Sequence, residues 1–323
     1  MRYASIDIGT NTLRLLIAEP SGRDLRPLVY KRKITRLGGG YREETGINAA
    51  SAERTFAALT EFKEEIDSTG AEAVTAFATS VVRRAVNRGW FIEETKRRTG
   101  IDVTVISGNE EARLSLLGVL SVLDRTNGRK LVMDIGGGST EFIASSDGVE
   151  IGAWSMELGV VHLTEKYLKS DPPAESELAL VAGEALRTIN DLKARMRADG
   201  VDPGEYSGRG GAEFVGTAGT ITTLAAIDQD LKEYDRSRIN RHTLKKERVA
   251  GILKRLSGLR LKEREEVLSL EKGREDLIIP GTAITLLVMG AFGFDEARVS
   301  DAGLLEGIII DRLKPGVSSI KYQ

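Results

Sequence analysis

The stretch "DIGGGSTE" (134–141) sets two carboxylates, Asp134 and Glu141, at the ends of a loop with three consecutive glycines and two hydroxyls. Glycines let a backbone turn its N–H groups toward one point, and such a nest binds anions. Acids beside an anion site can hold a divalent cation. Mg²⁺ keeps several waters and takes one or two carboxylates together with phosphate oxygens. Asp134 and Glu141 are therefore the expected metal pair, with Asp7 next, and Mg²⁺ (or Mn²⁺) the expected ion. A second acid pair, Glu110 and Glu111, lies in "SGNEEARLS" (107–115). Both acids suit a helix start, where the dipole favours negative charge, and either can orient or deprotonate an attacking water. Periodicity does not separate them. In "ATSVVRRAVN" (78–87), Arg83 and Arg84 read as solvated helix charges or as planar clamps for phosphate. The turn "GTAGT" (216–220) runs from a strand into a helix expected near Ile221, and free amides at a helix start attract phosphate. Gly216, Thr217 and Gly219 are its expected contributors.

The elements that must carry these residues form a repeat. "YASIDIGTNTLRLLIAE" (3–19) and "KLVMDIGGGSTEFIASS" (130–146) share an apolar strand, Asp-Ile-Gly, a small or polar turn, a hydroxyl and a second apolar strand. Asp7 matches Asp134, Gly9 matches Gly136, Thr12 matches Ser139, and Arg14 falls where Glu141 stands. Copies so far apart are not a solenoid period. They imply two related domains facing each other, with the site in the cleft between them. Neither copy has the lysine of a Walker loop, and strand-like residues follow the glycines where a dinucleotide fingerprint needs a helix.

Between the copies the first half reads as strands and then helices. A helix is expected over 52–69, a strand at "AVTAFATS", a helix over 90–98, a strand at "IDVTVIS" and a helix from "NEEARLSLL" onward. The turn-rich "DRTNG" (124–128) marks a boundary, giving domains 1–125 and 126–323. The second half repeats the hairpin and then becomes mostly helical, ending in an amphipathic helix over "EARVSDAGLLEGIIIDRL". This order of elements implies α/β layers.

With 323 residues, 41% of them hydrophobic and 29% charged, the chain has the composition of a globular protein of about two domains. It has no cysteine, which excludes disulfides, thiolate catalysis and thiolate zinc sites. His162 and His242 are its two histidines, too few for a multi-histidine metal centre. Net charge is −2, so no general pull toward nucleic acid is expected and a polyanion must be gripped locally. The basic clusters Lys31-Arg32-Lys33, Lys96-Arg97-Arg98, Lys245-Lys246-Arg248 and Arg260-Lys262-Arg264 could lead an anionic chain to the site, but most are interleaved with glutamates and each singly reads better as a solvated face. The apolar run 277–294 is cut by Pro280, Gly281, Gly290 and Gly293, which leaves a buried helix from about Thr282 to Met289 and no membrane span. The N-terminus lacks the apolar core of a signal peptide, so a cytoplasmic protein is expected.

Taken together, "IDIGTNTLRLLIAE", "ATSVVRRAVN", "ISGNEEARLSLLGV", "LVMDIGGGSTEF", "ELGVVHLTEKY", "GTAGTITTLAA", "GREDLIIPG" and "VSDAGLLEGI" occur in the order found in the exopolyphosphatase/guanosine pentaphosphate phosphohydrolase (Ppx/GppA) family, which the chain resembles over about residues 1–313. The resemblance implies two related actin-like ATPase (ribonuclease H-like) α/β domains around an interdomain cleft, with the final helix, about 303–313, packed back on the first. It implies Mg²⁺-dependent hydrolysis of the terminal phosphoanhydride of inorganic polyphosphate, or of pppGpp. A small-molecule kinase and a non-catalytic polyphosphate or alarmone sensor are the competing readings. The second acid of the family's "EEA" motif is its presumed base, which points to Glu111. Asp134 and Glu141 look like the acids at the Mg²⁺ and water site. Asn11 and Arg83, with Thr12 beside Asn11, look like terminal-phosphate ligands, while Gly136, Gly137, Gly138 and Ser139 supply amides and a hydroxyl. The chain is similar to the short, two-domain subgroup, for which a homodimer is one expected assembly.

Overall fold

The computed structural model describes residues 1–22, 24–124, 126–267 and 273–313. The chain divides into two compact units, Met1–Ser121 with the segment from Gly303, and Val122–Ala302. Arg125, at the expected boundary, lies outside the described residues. The first unit runs β1 (Tyr3–Ile8), β2 (Thr12–Ser21), β3 (Asp24–Ile34), α1 (Ala49–Thr69), β4 (Ala73–Ala78), α2 (Ser80–Arg84), α3 (Arg88–Thr99), β5 (Val103–Val105) and α4 (Gly108–Val122). The second holds β6 (Arg129–Ile135), β7 (Thr140–Ser146), β8 (Val149–Met156), α5 (Val160–Tyr167), α6 (Glu175–Ala198), β9 (Glu213–Thr217), α7 (Ala218–Asp228), α8 (Arg236–Ile239), β10 (Thr243–Lys245), α9 (Lys246–Ser257), α10 (Leu261–Arg264), α11 (Ile278–Phe292) and β11 (Glu296–Val299). Helix α12 (Leu304–Leu313) then returns to the first.

The repeat seen in the sequence is a repeat of topology. One sheet has the order β3-β2-β1-β4-β5 and the other β8-β7-β6-β9-β11, with β10 added at its edge. In both, the first three strands are an antiparallel meander and the next two run parallel to the first. Each unit is thus the α/β core of the actin-like ATPase fold.

Strands β1 and β2 read as nearly unbroken apolar runs because both sheet faces are covered. Ile6, Ile8, Leu13 and Leu15 pack with Phe56, Leu59 and Phe62 of α1 and Phe91 of α3. On the other face Leu16 and Ala18 meet Leu305 and Ile309 of α12. Helices α4 and α12 cross with almost no space between their backbones: a Cβ on Gly118 would clash with the Gly303 carbonyl, and one on Gly307 with the Leu114 carbonyl.

Two expected elements differ. Residues 296–313 are not one helix, because Ala297 and Val299 alternate inward as β11, which pairs with β9 and β10, and the helix starts only at Leu304. The apolar helix is longer than expected: α11 spans Ile278–Phe292, with Pro280 tolerated in its first turn, where no intrahelical N–H bond is lost. Among the described residues no helix is long and apolar enough to cross a membrane. The basic runs are largely paired, Lys31 with Glu65, Lys33 with Glu61, Lys96 with Asp102 and Arg98 with Glu53.

Candidate active site

In the first unit, β1 and β2 meet in a tight turn closed by Gly9 N–H donating to Thr12 O (3.1 Å). A Cβ on Gly9 would lie 2.9 Å from that oxygen, so the turn requires glycine there. Asp7 and Arg14 stand opposite each other in the β1–β2 register. Arg14 donates from Nε (2.8 Å) and Nη2 (2.6 Å) to Asp7 Oδ2, and Asp7 is only 3% exposed. The acid expected third in the metal set is therefore already partnered by a guanidinium. Asn11 is buried at the turn: its Nδ2 reaches Thr12 Oγ1 (3.4 Å), while its buried Oδ1 has no hydrogen-bond partner among the described residues. Such an orphaned amide has capacity for a ligand.

Arg83 and Glu111 come from different helices. Arg83 is the next-to-last residue of the five-residue α2, and its Nη1 donates both to Ile106 O (2.9 Å) and to Glu111 Oε2 (3.0 Å). Nε and Nη2 of the same fork donate to no group among the described residues. Glu111 lies in the first turn of α4, whose start is capped by Ser107 Oγ accepting from Glu110 N–H (3.1 Å). The two adjacent glutamates are separated by their partners. Glu110 takes a bidentate pair from Arg113 (2.8 Å each), and Arg113 also reaches Asp311 of α12 (2.8 Å). These carboxylates hold the Arg113 guanidinium well above its usual pKa. Glu110 is thus part of the α4–α12 clamp, and Glu111 is the acid joined to Arg83.

The second unit repeats the turn with different chemistry. Gly136 N–H closes the β6–β7 turn onto Ser139 O (2.9 Å), as Gly9 does onto Thr12. The carbonyls of Gly136 and Gly137 accept from Val160 and Val161 at the start of α5 (3.2 and 2.9 Å). Gly159 is needed beneath the loop, because a Cβ there would clash with Gly137 and Gly138. The N–H groups of Gly137 and Gly138 donate to no group among the described residues. Asp134 and Glu141 are cross-strand partners on one sheet face, 8% and 1% exposed. Where the first copy pairs acid with base, the second pairs acid with acid. Glu141 Oε1 accepts from Ser139 Oγ (2.8 Å) and from Ser155 Oγ of β8 (2.7 Å).

The third expected turn lies between β9 and α7. Thr217 Oγ1 donates to Ala302 O (3.0 Å), and Ala218 adopts φ +68°, a left-handed conformation that costs an L-residue about 1–2 kcal/mol. The start of α7 has no side-chain cap. The guanidinium of Arg274 lies directly over Gly219, leaving no room for a Cβ. Arg274 and Ser155 are the side chains that sequence reasoning did not assign. An arginine in the glycine-flanked "GREDL", just before an apolar helix, was the available signal for the first; a lone strand serine gave none for the second.

Among the described residues no group of three or more His, Asp or Glu side chains is gathered for a metal. Two opposed carboxylates suit Mg²⁺, which fills its remaining positions with water and phosphate oxygens.

Comparison with known proteins identifies the family. Residues 16–315 match the model of the Ppx/GppA phosphatase family. The chain is 33% identical to exopolyphosphatase 2 of Mycobacterium tuberculosis, over 96% of this chain and 98% of that one. Among solved structures it is similar to the Aquifex aeolicus Ppx/GppA family member (32% identity, TM-score 0.79, 97% of both chains). It is also similar to an exopolyphosphatase from Cytophaga hutchinsonii (25% identity, TM-score 0.87, 99% of this chain and 100% of that one).

Proposed function

The chain belongs to the Ppx/GppA phosphatase family, and from that premise we propose that it is an exopolyphosphatase that hydrolyses the terminal phosphoanhydride of inorganic polyphosphate with Mg²⁺ as cofactor. One observation carries this reading. The β6–β7 hairpin sets two buried carboxylates beside a turn whose Gly137 and Gly138 amides donate to no group among the described residues. Acids alone repel an anion, so the combination suits a phosphate that arrives with a cation.

Phosphoryl transfer depends mainly on positioning and on neutralising the equatorial oxygens. Asp134 and Glu141 would hold Mg²⁺, which when bound neutralises charge on the phosphate oxygens. The Gly137 and Gly138 amides and Ser139 bind the terminal phosphoryl group, and Arg83 adds Nε and Nη2 of its fork. Asn11 contributes its amide, with Nδ2 presented by a half-turn of the group, and Thr12 its hydroxyl. The turn from Gly216 to Gly219, where β9 runs into α7, together with Arg274, suits a further phosphate. Glu111 orients the attacking water and accepts its proton. Water oxygen bonds to the terminal phosphorus, the bridging P–O bond breaks, and orthophosphate and a chain one unit shorter leave.

The test is orthophosphate release from short polyphosphate, long polyphosphate, pppGpp and ATP, each with and without Mg²⁺. Mg²⁺-dependent release from polyphosphate is expected. Release from pppGpp alone assigns the same chemistry to the nucleotide. ATP use that depends on an added acceptor makes the protein a kinase, and binding without release makes it a sensor.

A further inference from the structure

We propose that Ser155 is a positioning residue for Glu141, setting the orientation in which this carboxylate meets a divalent cation. The inference rests on the reading above, in which Glu141 serves the metal. Ser155 lies on β8 directly opposite Glu141 of β7. Its hydroxyl donates to Glu141 Oε1 at 2.7 Å, and Ser139 Oγ donates to the same oxygen at 2.8 Å. The terminal torsion of a glutamate is broad and roughly two-fold, so packing alone does not choose which oxygen faces which way. Two donors on one oxygen do choose. They also supply hydrogen bonds to a charge that is 1% exposed and stands across from a second carboxylate, Asp134.

The two serines differ in what holds them. Ser139 belongs to the glycine turn, and its carbonyl closes that turn. Ser155 sits in a strand, between Trp154 and Met156, which point into the core of the second unit. Its own side chain points to the opposite, Glu141 face and takes no part in that core. Removing its hydroxyl therefore leaves the packing intact and frees the carboxylate to turn. Loss of an outer partner of a metal ligand typically weakens metal affinity 10- to 100-fold.

The experiment uses the full chain as wild type, Ser155→Ala, Ser155→Thr and Glu141→Gln. Mn²⁺ affinity is measured without substrate from the EPR signal of the free ion, alongside steady-state polyphosphate hydrolysis and thermal melting. Ser155→Ala is expected to bind Mn²⁺ about tenfold more weakly and to lose kcat with KM for polyphosphate unchanged. Ser155→Thr is expected to restore both, and the melting temperature is expected to stay in place. Wild-type Mn²⁺ affinity in Ser155→Ala, with weakened binding in Glu141→Gln, overturns the inference. Failure of threonine to restore binding, or a parallel fall in melting temperature and affinity, also overturns it. Unchanged binding in Glu141→Gln removes the underlying metal assignment and the inference with it.

Discussion

Arg83 donates from Nη1 to Glu111 Oε2 at 3.0 Å, tying the end of α2 to the first turn of α4. The proposed phosphate clamp and the proposed water-orienting acid thus share one anchor, and Nη1 of the guanidinium also donates to the Ile106 carbonyl at 2.9 Å. A lysine keeps the charge but not the planar fork. Arg83→Lys is expected to lower kcat/KM for polyphosphate by about 10²-fold, since misplacing a catalytic group costs on that order. Steady-state kinetics check it, and a lysine variant with wild-type kcat/KM removes the clamp from Arg83.

Chelation tests the acid pair. With EDTA, orthophosphate release is expected to stop and to return on adding Mg²⁺. Asp134→Asn is expected to raise the Mg²⁺ concentration for half-activation by more than the roughly 10- to 100-fold typical of outer partners, because the change is at a proposed ligand itself. Half-activation at the wild-type concentration in this variant contradicts the assignment.

The first copy of the hairpin makes a stability prediction. Arg14→Ala leaves Asp7, 3% exposed, without its guanidinium. Breaking a buried ion pair costs roughly 3–5 kcal/mol, and the partial exposure of Arg14 places this one near the lower end. The double variant Asp7→Asn, Arg14→Gln is expected to recover much of the loss. Urea denaturation measures both, and a neutral Arg14→Ala refutes the pairing.

The α4–α12 crossing predicts opposite effects for one type of substitution. Gly118→Ala drives a methyl into the Gly303 carbonyl, an overpacking that costs roughly 1–3 kcal/mol or more. Gly183, inside α6, has open space around it, so Gly183→Ala is expected to gain about 0.5–1 kcal/mol of helix stability. Thermal melting of the two variants should move in opposite directions. A common direction would mean that backbone contact at Gly118 is not what restricts the crossing.

Much of this was legible in the chain. Asp-Ile-Gly between alternating apolar runs marked both hairpins, and aligning the copies placed Arg14 where Glu141 stands, which is the substitution that separates an ion pair from an acid pair. Strand β11 reads as helix in the sequence because four residues are too few to show a period of two. Glu110 and Glu111 were inseparable by spacing because both belong to one helical turn. Only their partners, Arg113 for one and Arg83 for the other, divide them, and Arg83 reaches Glu111 across 28 residues of chain. Ser155 depends wholly on strand register, which no local pattern specifies.

The central claim is hydrolysis with Glu111 as the group that activates water. Orthophosphate released from polyphosphate in the presence of Mg²⁺ by wild type and by Glu111→Gln tests it most directly. General-base assistance is typically worth about 10²–10⁴ in rate, so the variant is expected to fall by that factor while its circular dichroism stays unchanged. Release by Glu111→Gln at the wild-type rate would contradict the account.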